Sequence, residues 1–73
     1  MDSDEKLIYM ANQIAANFAA QGEAKAVPAI ADHIKKFWDP EMRRKFLSMA
    51  DTAELHSLVR KAVPVLKEKQ PSP

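Results

Sequence analysis

The stretch Val27-Pro28-Ala29-Ile30-Ala31-Asp32-His33-Ile34-Lys35-Lys36-Phe37-Trp38-Asp39-Pro40-Glu41 carries the clearest periodic signal in this chain. Val27, Ile30, Ala31, Ile34, Phe37 and Trp38 recur at helical spacing, so they share one face of a helix and are expected to point inward. The helix should begin near Glu23 to Val27, with Pro28 tolerated in a first turn whose amides have no carbonyl to reach. Asp39-Pro40-Glu41 ends it and starts the next. The residue before a proline avoids helical geometry, Asp is a good cap, and Pro is a good first helical residue.

Upstream, a first helix is predicted from about Asp4 to Gln21. Asp2 or Ser3 can cap it, acidic side chains in the first turn complement the helix dipole, and Gly22 suits the left-handed position past its end. Leu7, Ala11, Ile14 and Phe18 form its apolar stripe, flanked by Ile8, Ala15 and Ala19. Downstream, Met42, Phe46, Met49 and Ala50 face inward on a short third helix. Asp51-Thr52-Ala53-Glu54 reads as a fourth start, with Asp51 or Thr52 as cap and Glu54 closing a capping box from Asp51. Leu55, Leu58, Val59, Ala62 and Leu66 continue a stripe across Pro64, whose outward place predicts a kink or an early helix end. A single glycine, five prolines and few β-branched residues fit helices throughout. The expectation is an all-α chain: a small single-domain bundle of three to four helices over residues 1–67, with a disordered polar tail at 68–73.

A chain of 73 residues supports one domain and a thin core. Folds this small are usually reinforced by disulfides, by a structural metal or by association. Cysteine is absent, which excludes the first. His33 and His56 fall on different predicted helices with no carboxylate pair at ligand spacing, so no metal ligands are assigned. Association remains. A formal net charge of +1 provides no field for nucleic acid or an anionic membrane. No run approaches the roughly 20 apolar residues of a membrane span, and the acidic start Met1-Asp2-Ser3-Asp4-Glu5 is unlike a signal peptide. A soluble cytoplasmic protein is expected. Ser3, Ser48, Ser57 and Ser72 lack a recognisable neighbouring base, and there is no glycine-rich phosphate loop. No catalytic or cofactor-binding residue is assigned.

Two surface features bear on function. Lys35, Lys36, Arg43, Arg44 and Lys45 cluster around the Trp38 corner and could meet phosphates or an acidic partner. They interleave with Asp32, Asp39 and Glu41, as ordinary solvated helix faces do. The second feature is an absence: from Leu7 to Gln21 the first helix carries no charge. Tyr9, Ala16 and Ala20 lie on its outward side with Met10, Gln13 and Asn17 beside them, where a free helix usually shows Lys and Glu. Either this is an alanine-rich helix of good propensity, or it is covered inwardly by its own domain and outwardly by another chain. Tyr9, Gln13, Ala16, Ala20 and Arg43 are therefore the candidate partner-binding residues. His33 is expected at the edge of the stripe and His56 in solvent.

Two blocks also carry a family resemblance. Glu5-Lys6-Leu7-Ile8-Tyr9-Met10-Ala11-Asn12-Gln13-Ile14-Ala15, followed by His33-Ile34-Lys35-Lys36-Phe37-Trp38-Asp39-Pro40-Glu41-Met42-Arg43, resembles the small delta subunit of bacterial NAD-dependent, molybdenum-containing formate dehydrogenases, over roughly residues 4–66. The resemblance implies membership of a cytoplasmic complex that converts formate and NAD to carbon dioxide and NADH. In that family the molybdenum cofactor and most iron-sulfur clusters belong to the large alpha subunit, and flavin and NAD to the beta subunit. The delta subunit carries no redox centre, in keeping with a chain that has no cysteine for a cluster. It implies no catalytic residues for this chain, a role in assembly or stability, and the large alpha subunit as neighbour. The competing reading is a stand-alone regulator that binds nucleic acid or an acidic partner through Lys35 to Lys45. A homodimer through the neutral face of the first helix is a third.

Overall fold

The computed structural model describes residues 3–68. Four helices succeed one another: α1 (Ser3–Phe18), α2 (Glu23–Phe37), α3 (Pro40–Met49) and α4 (Ser57–Glu68), with a short 3-10 turn, Ala19–Gln21, between the first two. No strand occurs among the described residues, so the fold is all-α as the sequence predicts. Glu68, assigned to the tail from sequence, is the last residue of α4, and the rest of that expected tail lies outside the described residues, as does Asp2.

The core grows outward from α2, whose Ala26, Ile30, Ala31 and Ile34 are buried. Leu58, Val59, Ala62, Val63 and Leu66 of α4 meet this face in the most extensive helix pairing of the molecule, and Leu7, Ala11 and Ala15 of α1 join the same core. The many alanines let helix backbones approach closely, because interaxial distance follows the size of the side chains at the contact. Among the described residues only Phe46, Ile30, Ile34 and Val59 are large side chains below 2% exposure. Each therefore carries a large share of the burial energy.

The corner between α2 and α3 is fixed from both sides. Asp39 sits in extended geometry, and its Oδ1 accepts a hydrogen bond from the Met42 amide at 2.8 Å, capping α3 with Pro40 in the first turn. Arg43, one turn further on, donates from Nη1 to the carbonyls of Lys35 at 3.1 Å and Trp38 at 2.6 Å. It thus satisfies orphan acceptors at the end of α2 with a cation placed where the helix dipole favours one. Trp38 is buried, its ring edge-on to Phe46 at 5.6 Å.

Several local expectations change. The first helix becomes the 3-10 turn after Phe18, and Ser3 is its first helical residue rather than its cap. Gly22 does adopt a positive φ of 89°, but its ψ of 152° lies outside the left-handed helical region, since the residue also starts α2. Pro28 is the sixth residue of α2, counting from Glu23, not a first-turn residue. Its missing donor falls between two exposed residues, Ala24 and Pro28, where water can serve the orphaned carbonyl. Pro64 is likewise exposed, and α4 continues past it to Glu68 instead of ending early.

The largest revision concerns the start of α4. It begins at Ser57, not after Asp51 or Thr52, because the segment that looked like a cap closes α3 instead. The amides of Thr52 and Ala53 both bond back to the Met49 carbonyl, at 3.1 and 3.0 Å. The cap is His56, whose Nδ1 accepts from the Leu58 amide at 3.1 Å while its carbonyl takes the Arg60 amide at 3.0 Å. Asn12 of α1 holds this entry: its Oδ1 accepts from the His56 amide at 2.8 Å and its Nδ2 donates to the Glu54 carbonyl at 3.1 Å. His56, expected in solvent, is half-buried by these contacts.

Candidate protein-docking surface

The neutral face of α1 is open to solvent except at Met10, which is half-buried. Tyr9, Gln13, Ala16, Asn17 and, in the 3-10 turn, Ala20 are exposed. Gln13 donates from Nε2 to the Tyr9 hydroxyl at 2.9 Å, which orients both side chains one helical turn apart. The phenol proton and the Gln13 carbonyl oxygen have no partner among the described residues, so both can serve a neighbour.

Beside that face runs a groove of about 460 Å³. Tyr9 and Gln13 form its α1 bank, His33 and Phe37 its α2 bank, and Met10, Ile14, Trp38 and Met42 its floor. The two exposed large hydrophobic residues among those described, Tyr9 at 54% and Phe37 at 71%, stand on opposite banks. Phe37 was expected in the core, and the structure overturns this. Its ring meets the His33 ring at 4.7 Å, tilted by 42°, and His33 in turn meets Phe18 at 6.1 Å, a row of rings along the flank of α2. The physical reason is width: the apolar stripe of α2 spreads further than α1 and α4 cover, and Phe37, at the last residue of the helix, falls on the uncovered margin. A signal existed in the sequence. Phe37 and Trp38 are adjacent, hence about 100° apart on a helix, and cannot both be centred on one narrow stripe.

The basic cluster is largely occupied by the protein itself. Lys36 pairs with Asp32 at 3.2 Å and Lys45 with Asp4 at 3.1 Å, while Arg43 is half-buried and turned into the corner described above. Arg43, a candidate partner residue from sequence, is thus set apart from Tyr9, Gln13, Ala16 and Ala20 by its internal bonds. Among the described residues no three His, Asp or Glu side chains gather as a metal site would require. No helix among them is long and apolar enough to cross a membrane.

No curated protein and no solved structure matches this chain. One family model does, that of the NADH-dependent formate dehydrogenase delta subunit FdsD, over residues 6–63, from the first turn of α1 into α4. That span is well over half of the sequence and holds both banks of the groove, the corner and the Asn12 contact. The chain therefore belongs to the FdsD family of formate dehydrogenase delta subunits.

Proposed function

We propose that this chain is a non-catalytic accessory subunit that supports the assembly or stability of a cytoplasmic NAD-dependent formate dehydrogenase by binding its large molybdenum-containing subunit. Family membership supports a place among other subunits. The observation that carries the contact is the exposed, uncharged face of α1 over Tyr9, Gln13, Ala16 and Ala20. Covering such a face costs little, because no ion loses its hydration and the alanines lose no side-chain entropy. Arg43 serves the same contact by holding the corner beside it, through its bonds to Lys35 and Trp38.

The test is Ala16→Glu. Water accepts the new carboxylate in the free chain, so its helicity and unfolding free energy should stay within about 0.5 kcal/mol of the parent, as for surface sites generally. In the complex the carboxylate would have to be desolvated without a counter-charge, so co-purification with the large subunit and formate dehydrogenase activity in cells should fall. Undiminished binding and activity would remove the α1 face from the interface. A complex of full yield and stability made without this chain would overturn the accessory role itself.

A further inference from the structure

Resting on that reading, we infer that the contact centres on the groove between α1 and α2, and that its occupant is one uncharged, apolar helical segment of another formate dehydrogenase subunit. The shape comes first. Tyr9 and Gln13 lie one turn apart on α1, and His33 and Phe37 lie one turn apart on α2, so the banks run along the two helices on either side of a shallow, open trough. A trough of this kind receives the side chains of a single helix at spacings of three and four residues. Met10 and Met42 on the floor are unbranched and adapt to whichever methyl groups enter.

Charge then selects the occupant. None of the groove's lining residues is an Asp, Glu, Lys or Arg, and the nearby ammonium groups of Lys36 and Lys45 are matched by this chain's own Asp32 and Asp4. A phosphate backbone or an acidic peptide would meet no free cation in the trough and would lose its hydration for nothing. Charges appear only at the corner end, where Met10 and Met42 lead into a second depression rimmed by Lys6, Asp39, Glu41 and Lys45. The occupant is therefore neutral along its ridge and polar only where it reaches that rim. Membership of a multi-subunit enzyme family points to another subunit as the source of that segment, and a second copy of this chain is the competing occupant that the crosslink below detects.

The experiment uses the full chain co-expressed with the remaining formate dehydrogenase subunits. Phe37 is mostly exposed, so Phe37→Asp should keep the circular dichroism and melting of the parent while binding weakens more than about thirtyfold, as for the anchor of an interface. Phe37→Leu, which keeps an apolar side chain, should bind nearly as the parent does. A benzophenone side chain installed at position 37 should crosslink to an uncharged helical peptide of another subunit. Parent-like binding by Phe37→Asp overturns the groove, and if Ala16→Glu still abolishes binding in the same assay, the accessory role stands without it. A crosslink to a second copy of this chain overturns the occupant. Should Phe37→Asp unfold the isolated chain, the ring belongs to the core and the inference fails; Tyr9→Asp, on the other bank, then shows whether that bank alone is the contact.

Discussion

Asn12→Ala removes a side chain that ties α1 to the entry of α4. The amide makes two bonds across the molecule, accepting from the His56 amide at 2.8 Å and donating to the Glu54 carbonyl at 3.1 Å. Because one partner can only donate and the other only accept, the orientation of the Asn12 amide is determined by the network. Truncation leaves the two partners in different situations. The His56 amide belongs to a half-buried residue, and an unsatisfied donor there costs about 1 to 3 kcal/mol. The Glu54 residue is exposed, so water replaces the lost bond at a cost of about 0.5 kcal/mol. The sum, about 1.5 to 3.5 kcal/mol, is large beside the roughly 4 to 11 kcal/mol that a chain of this length holds at about 0.05 to 0.15 kcal/mol per residue. In a urea titration followed by helicity and by Trp38 fluorescence, a slope of about 1 kcal/mol/M turns this into a midpoint lower by about 1.5 to 3.5 M. Hydrogen exchange at the His56 amide should accelerate as well, since the Asn12 Oδ1 that accepts from it is gone while the rest of α4 keeps its own ladder. A midpoint within about 0.3 M of the parent, with unchanged exchange at His56, would show that the helix start is held by burial alone.

Two further substitutions probe the core. Ile34→Ala empties a site with no exposure at the centre of the α2 face and should cost about 2 to 5 kcal/mol by calorimetry; a variant that melts with the parent would remove Ile34 from the centre. Trp38→Ala deletes a ring only 4% exposed that meets Phe46 edge-on, and should cost about 3 to 5 kcal/mol and weaken binding too, since the same ring floors the groove; normal melting would show that Arg43 and Asp39 hold the corner without it.

What the sequence made legible is what neighbouring residues decide. The Asp39 cap involves a residue three positions on, and the positive φ of Gly22 is a property of one residue, so both could be read locally. Ile30, Ile34, Phe46 and Val59 are fully buried because periodicity marks the middle of an apolar stripe reliably. The start of α4 failed for the opposite reason. Asp51 to Glu54 has the residues of a cap, but the Thr52 and Ala53 amides are consumed by the Met49 carbonyl, and the true start depends on Asn12, 44 residues away from His56. A histidine is not among the favoured caps, so no local pattern announces it. Phe37 failed in a third way. A helical wheel says which side a residue faces, not how much of that side another element covers.

Phe37 and Trp38 also show how one corner can serve two ends. The chain leaves the helix between them, and Trp38 takes extended geometry with φ −95° and ψ 137°, which swings its ring under α3 onto Phe46. Phe37 stays helical and keeps its ring on the outer flank against His33. Trp38 also bears on the groove as its floor, so its loss damages fold and surface together, while Phe37 belongs to the surface alone. An exposed phenyl ring is a liability for a small chain, because water-facing apolar patches promote association. Replacing it by a polar residue costs the fold nothing in burial that α1 or α4 now provides. The contact proposed above would cover the aromatic at that position, and the separation of Phe37→Asp from Trp38→Ala in folding and binding is the measurable form of that proposal.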